Sequence, residues 1–217
     1  RLAIHLGVNK KRIQRVMRLF DLHPYRRRGR KPRKSSRISG VGYPNLVKGI
    51  NPQYENQIWA ADFTYLSYQG KFLYVATVID LFTRKVVGWS VLRNHSTALI
   101  LPALFMALSA NPRPAVFHSD NGREYISKIF TRILTETGSQ ISRNAPASPW
   151  ENGYQESFYA QFKIDLGDPN RFASLGELIY EIAKTIWTYN HTRIHTALKM
   201  PPALYAQRQR KLSETNY

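Results

Sequence analysis

No cysteine occurs in the 217 residues, which excludes a disulfide framework and any thiolate metal site within this chain and fits a reducing cytoplasm. Acids are scarce at one end. In the first 50 positions Asp21 stands alone against 15 Lys and Arg, whereas positions 51 to 217 set 17 basic residues against 13 acids. Long apolar runs are missing too. No stretch approaches the roughly 18 residues of a membrane span, no long basic amphipathic helix suggests a membrane surface, and no secretory signal is visible. There is no Walker-type Gly-Lys-Ser/Thr loop, so nothing calls for a nucleotide cofactor, and there is no internal repeat. The chain is 43% hydrophobic and 12% aromatic, enough for one good-sized globular domain with attachments. Its net charge of +18, concentrated in the first quarter, calls for a polyanionic partner, most simply nucleic acid.

That basic quarter divides in two. "LAIHLGVNKKRIQRVMRLF" has a short apolar helix, a turn at Gly7, and Asn9 as a cap before a second helix with Ile13, Val16, Met17 and Phe20 on one face. Its other faces carry Lys11, Arg12, Arg15 and Arg18, which suits the end of a helix-turn-helix entering a DNA groove, the alternative being a basic hairpin that only packs or dimerises. The chain opens on Arg1-Leu2-Ala3-Ile4, which reads like the middle of a helix, so an upstream segment is expected and residues 1–24 are read as a DNA-binding remnant. Residues 25–52 follow as a basic arm without periodicity, in which Arg26, Arg27, Arg28, Arg30 and Lys31 are candidates for tracking phosphates.

From Gln57 the texture becomes β. "IWAADFTYL", "KFLYVATVID" and "KVVGWSVL" are separated by links too short for crossover helices, so they form an antiparallel meander. A helix from about Thr97 to Ala110, a strand ending before Asp120, a helix over about Ser127 to Thr137 and a short strand at Gln140-Ile141 come next. Then follow the loop "RNAPASPW", a helix over "ENGYQESFYAQFKIDL" and helical segments from Ser174 onward. The order is that of an α/β domain.

Three acids stand out in this order. Asp62 lies mid-strand between Ala61 and Phe63, where a buried carboxylate costs several kcal/mol unless compensated. Its partner is either an arginine such as Arg84 or Arg123 or a divalent cation held by further oxygens. Asp120 ends an apolar run and is followed by Asn121-Gly122, an arrangement that merely closes a strand in an Asx-type turn or presents a carboxylate at the strand's carboxyl end, where open α/β sheets bind ligands. Glu156 sits seven residues before Lys163, two turns along one helix face, while Phe158 and Phe162 form a separate apolar stripe. Asp80 reads as a turn residue or a support for the acids. His118 reads as strand core or as a scaffold for Asp120, since hard cations favour oxygen.

"IWAADFTY", "GKFLYVATVIDLFTRKVVGWSV", "HSDNGREY", "ENGYQESFYAQFK" and "YNHTRIHTAL", with 35 residues between Asp120 and Glu156, resemble the integrase-type catalytic core of bacterial insertion-sequence transposases of the open-reading-frame-B type. The resemblance implies an RNase H-like core over 53–167, a mixed five-stranded sheet flanked by helices, and a C-terminal helical extension over 168–217. It implies that Asp62, Asp120 and Glu156 are the catalytic acids and hold two Mg2+ ions, with Mn2+ as a substitute. Water would then nick DNA, and the freed 3′-hydroxyl would join strands in the same site. The expected partners are element terminal repeats, target DNA and further copies of the chain in a synaptic complex, a dimer or higher, in the bacterial cytoplasm at the nucleoid. One departure concerns Glu151-Asn152-Gly153, where relatives commonly show Asp-Asn-Ala. Glu151 lies about 140° around the helix from Glu156, so Glu156 is the preferred ligand, and Asn121 and Asn152 are supporting candidates. A hydrolytic RNase H-like nuclease and an inactive DNA-binding remnant are the competing readings. A retroviral-type zinc module is excluded within this chain by the absence of cysteine.

Overall fold

Gln69 and Gly70, with φ of 48° and 73°, are all that separate the first two strands, and two left-handed residues make the hairpin turn whose twist matches the strands it joins. In the computed structural model, which describes residues 1–24, 42–144 and 153–215, β1 (Ile58–Tyr68), β2 (Lys71–Asp80) and β3 (Val86–Leu92) form the antiparallel meander. β4 (Val116–Ser119) joins the other side of β1 in parallel, and β5 (Gln140–Arg143) pairs in parallel with β4. The result is the mixed five-stranded sheet, in the order β3-β2-β1-β4-β5, that the resemblance implied.

Parallel neighbours need crossovers. These are α3 (Thr97–Ala110), between β3 and β4, and α4 (Lys128–Glu136), between β4 and β5. Both pack on one face of the sheet over Trp59, Ala61, Val78 and Phe117. On the other face Ile58, Ala60, Leu73, Val75 and Ile79 meet α5 (Gly153–Leu166) and α6 (Leu175–His191). Double burial explains why the strands read as almost continuous apolar runs. Each buried Leu, Ile or Phe in these layers contributes about 1.5–3 kcal/mol. α3 comes so close to β3 that a Cβ on Gly88 would lie 2.0 Å from the Ala103 carbonyl oxygen.

The 168–217 segment, expected as a helical extension, holds a 3-10 turn at Pro169–Arg171, then α6 and α7 (Pro202–Thr215). α6 sends Leu178, Ile182 and Ile186 into the same core as α5. Residues 42–47, the end of the expected arm, run beside β5: Arg143 N–H donates to the Pro44 carbonyl (3.2 Å) and Leu46 N–H to Ser142 Oγ (2.9 Å). They cover an edge strand that would otherwise be open.

At the start of the chain α1 (Leu2–His5) and α2 (Lys10–Leu19) follow one another, and Asn9 Oδ1 accepts from Lys11 N–H at 2.8 Å as the cap. Neither helix contains a buried residue. The basic residues Arg26, Arg27, Arg28, Arg30 and Lys31, the loop at 145–150, and Glu151 and Asn152 lie outside the described residues. Among those described, no helix is long and apolar enough to cross a membrane.

Candidate active site

Side-chain parity on two parallel strands decides where the first acids go. The even residues Ile58, Ala60 and Leu66 of β1 enter the α5–α6 core, as does Val116 of β4, while Trp59 and Phe117 enter the opposite one. Asp62 and Asp120 continue the even rows. Ala60 pairs with His118, and two residues further along each strand come Asp62 and Asp120, at the level where β4 ends.

Glu156 arrives from α5, whose seat is fixed by two buried polar residues that the sequence reading did not single out. Gln155 Nε2 donates to the carbonyl of Ala60 (2.6 Å) and accepts at Oε1 from Thr77 Oγ1 (2.9 Å); one turn later, Tyr159 Oη donates to the carbonyl of Asp62 (2.6 Å). Thr77 is the residue opposite Asp62 on β2. With positions 155 and 159 tied to the sheet, Glu156 stands exposed in the first turn of α5.

The electrostatics follow from this crowding. Burial, then the charge of Asp120 and that of Glu156, push the Asp62 carboxyl up to about 8, against one opposing hydrogen bond from Phe63 N–H to Oδ1 at 2.8 Å. Asp120 is also raised, by burial first. Gly122 N–H, 2.9 Å from its Oδ1, works against the rise, as does Arg143, and Glu124 adds to it. The Asx turn is thus present and its carboxylate still belongs to the acid group. Gly122 leaves room for these carboxylates: a Cβ there would meet Asp120 Oδ1 at 2.9 Å and Glu124 Oε2 at 3.0 Å, and one of them would have to shift. Neither arginine weighed as a partner for Asp62 serves it. Arg84 lies over the ring of Tyr154 instead, and Arg123 is exposed. Among the described residues no three His, Asp or Glu side chains are already drawn close enough to cage a metal.

The supporting residues sort themselves by partner. His118 is buried between Ser142 Oγ (2.9 Å) and Asn144 Oδ1 (2.6 Å), and Asn121 Nδ2 donates to the Asn144 carbonyl (2.8 Å), so both brace the end of β4 against β5. Asp80 is fully buried at the β2–β3 turn, where it accepts from Thr83 N–H and Oγ1 and from Asn56 N–H; burial raises its carboxyl in spite of them. It is a turn residue. Lys163 projects with Nζ 5.0 Å from the ring centroid of Tyr65. Lys11, Arg12, Arg15 and Arg18 are all exposed on α2.

Two further residues were not singled out from the sequence. Glu124 is buried beside Asp120 and bound to His95 Nδ1 at 2.7 Å. Arg143, whose guanidinium is pulled down to about 10 by burial, donates to Ser119 Oγ and the Tyr125 carbonyl. The spacing of "DNGRE" places Glu124 one turn from Asp120, a signal that was readable; nothing local distinguishes Arg143 from its many exposed counterparts.

Residues 52–149 match the family described as Integrase core domain, and residues 137–202 match a second family with the same description. Over 194 residues the chain is 31% identical to the transposase for insertion sequence element IS904 of Lactococcus lactis, covering 88% of this chain and 77% of that one. A putative transposase for IS986/IS6110 of Mycobacterium tuberculosis is 31% identical over 179 residues, 76% of this chain and 64% of its own. The transposase for IS629 of Shigella sonnei is 32% identical over 185 residues, 83% of this chain and 62% of its own. This chain therefore spans less than two thirds of the last two. Among solved structures, a chain of the simian T-cell lymphotropic virus intasome superposes with a TM-score of 0.64 at 20% identity, over 81% of this chain and 60% of that one. The HTLV-2 integrase catalytic core in complex with magnesium gives 0.60 at 20% identity, over 72% and 99%. These likenesses identify the fold as RNase H-like.

Proposed function

The chain belongs to the insertion-sequence transposases with an integrase core, and on that premise we propose that it cuts DNA at the ends of an insertion element and joins them to target DNA, with Asp62, Asp120 and Glu156 holding two divalent metal ions. The observation that carries this reading is the placement of the acids: Asp62 and Asp120 lie two residues beyond the paired Ala60 and His118 on adjacent strands, Glu156 stands on the helix tied to the same strand, and the charges of Asp120 and Glu156 add to burial in raising the Asp62 carboxyl. A charge imbalance of that kind favours a bound cation, and three carboxylates offer the hard oxygen donors that suit Mg2+, with Mn2+ as a substitute. Such ions, when bound, activate the attacking oxygen and stabilise the leaving one in an in-line displacement at phosphorus.

The chain's own residues do the positioning. Asp62 projects from β1 and Asp120 follows directly on β4, the adjacent strand of a sheet buried on both faces, which sets where the two carboxylates start. Gln155 and Tyr159 fix the rotation of α5 and hence the direction of Glu156. Lys163, on the same flank, supplies a cation for a phosphate of the element end. Lys11, Arg12, Arg15 and Arg18 on α2, together with the basic arm, grip the duplex backbone without reading its sequence. Copies of the chain pair the two element ends, in a dimer or a larger assembly.

Asp62→Asn, Asp120→Asn and Glu156→Gln test the assignment. Each should lose at least about 10²-fold in Mg2+-dependent cleavage, the scale for deleting one preorganised electrostatic contact, while keeping its affinity for DNA. Glu151→Gln is the control and should cut normally. Near-normal cleavage by any one of the three would remove that residue from the site.

A further inference from the structure

A cavity of about 510 Å³ opens on the other flank of α5. Glu156 and Lys163 are seven residues apart on one side of the helix; Tyr154 and Gln161, two positions earlier in each case, lie about 200° round it. Tyr154 and Gln161 line the cavity with Gly153 at the start of the helix, Arg84 from the β2–β3 turn, His195 and Arg1. Arg1 Nη1 donates to Gln161 Oε1 at 3.2 Å.

Arg84 is the unusual member. Its φ is +63°, a left-handed conformation that glycine or asparagine takes with little cost and a long side chain does not. The turn nevertheless carries arginine and pins both of its backbone groups: its N–H donates to the Asp80 carbonyl at 2.8 Å, and its carbonyl accepts from Tyr189 Oη at 3.0 Å. The guanidinium is held over Tyr154, with Cζ 3.9 Å from the ring centroid. Its Nη1 is buried and, among the described residues, has no hydrogen-bond partner, and the same is true of Arg193 Nε and His195 Nδ1. Burial, then the charges of Arg84, Arg1 and Arg193, hold the His195 imidazole below its ordinary value. Asp165 is bound to Arg193.

Positive groups converge on this cavity, and some of their buried donors find no acceptor among the described residues. An orphaned donor is costly and rare in a folded protein, and clustered cations add repulsion. One anion would relieve both. A guanidinium fork fits two oxygens of a phosphate, and the positive end of the dipole at the start of a 14-residue helix adds to the attraction. We propose that this cavity is a phosphate-binding site and that it takes a backbone phosphate of DNA. One helix then presents acids to the strand being cut and, on its opposite flank, a cationic socket to a second stretch of DNA backbone. The socket uses none of the three acids, so cleavage is not its readout and failure of the metal assignment would leave the result below unchanged.

The test compares the intact chain with Arg84→Gly and Arg84→Gln. Glycine removes the guanidinium and relieves the left-handed backbone, so that variant should melt no lower than the parent; glutamine keeps a planar group over Tyr154 without the charge. Calorimetric titration with pyrophosphate at constant ionic strength should show binding at least about tenfold weaker in both variants, the scale of one charged hydrogen bond removed. Binding to a random-sequence duplex between 50 and 200 mM salt should show a log-log slope shallower by about 0.9, the change expected when one phosphate is no longer neutralised. Weakened pyrophosphate binding with an unchanged duplex slope would overturn the DNA half of the proposal in favour of a free phosphorylated small molecule. Parental pyrophosphate binding in both variants would overturn the site itself, and a lowered melting point for the glycine variant beside parental binding by the glutamine variant would make Arg84 a turn residue only.

Discussion

Without divalent metal at neutral pH, the protein should become more stable when Asp62 is replaced by asparagine. The folded chain holds the Asp62 proton up to about pH 8, whereas the unfolded chain releases it near pH 4. Between these values the folded state binds more protons, so stability falls as pH rises, by up to about 1.4 kcal/mol per pH unit. The contribution is fully present below about pH 4 and gone above about pH 8. From pH 4 to pH 7 the loss amounts to on the order of 4 kcal/mol at most, and because Asp62 is not sealed from water, solvent screening should reduce it to about 2–3 kcal/mol. Asparagine keeps an acceptor for the Phe63 N–H and cannot ionise. Urea unfolding in EDTA at pH 5, 6, 7 and 8 should therefore show the Asp62→Asn variant pulling ahead of the parent as pH rises. Mg2+ should then raise the parent's midpoint and leave the variant's nearly fixed. Parallel stability curves across this pH range would refute the view that Asp62 is crowded by Asp120 and Glu156.

Gly88→Ala should cost about 3 kcal/mol or prevent folding, because the new methyl group would lie 2.0 Å from the Ala103 carbonyl oxygen and α3 would have to move; thermal melting checks it, and an unchanged midpoint would mean α3 is not seated so closely. Lys163→Ala should weaken binding to cognate element ends more than to random duplex in a competition assay; equal weakening would reduce it to a general charge. Replacing Lys11, Arg12, Arg15 and Arg18 together by Gln should make the log-log salt slope for duplex binding shallower by up to about 3.6, at about 0.9 per phosphate. An unchanged slope would assign α2 to protein contacts instead.

Local pattern carried the strands well, since alternation and turn residues act within a few positions: Gln69-Gly70 closes the first hairpin, and Asn121-Gly122 ends the run that presents Asp120. Boundaries shifted by a residue or two, as at α4 and β5, where the last turn or pair depends on what lies opposite. The meeting of Asp62 with Asp120 was legible as well, because each lies at or beyond the end of a parallel pairing. What stayed hidden were the single polar side chains whose partner lies far along the chain. Gln155 looks like an ordinary polar helix residue until Ala60, 95 positions away, supplies its acceptor. Arg143 looks like surface charge until Ser119 and Tyr125 enclose it. The pinning of residues 42–47 against β5 was likewise invisible, because the segment carries no strand pattern of its own.

The bonds that seat α5 end, with the exception of Thr77, on carbonyl oxygens of the sheet. A carbonyl is supplied by any amino acid, so the helix reads the path of β1 and is indifferent to most of its spelling. Copies of a mobile element that accumulate substitutions should therefore tolerate change at Ala60 as long as the replacement is small, and still aim Glu156 correctly. The same copies should lose activity abruptly at positions 155 and 159, where only a side chain of the right length and polarity reaches the strand. Tolerance to drift is thus unequally divided between the two sides of one joint, and a library of single substitutions scored for transposition should show that inequality.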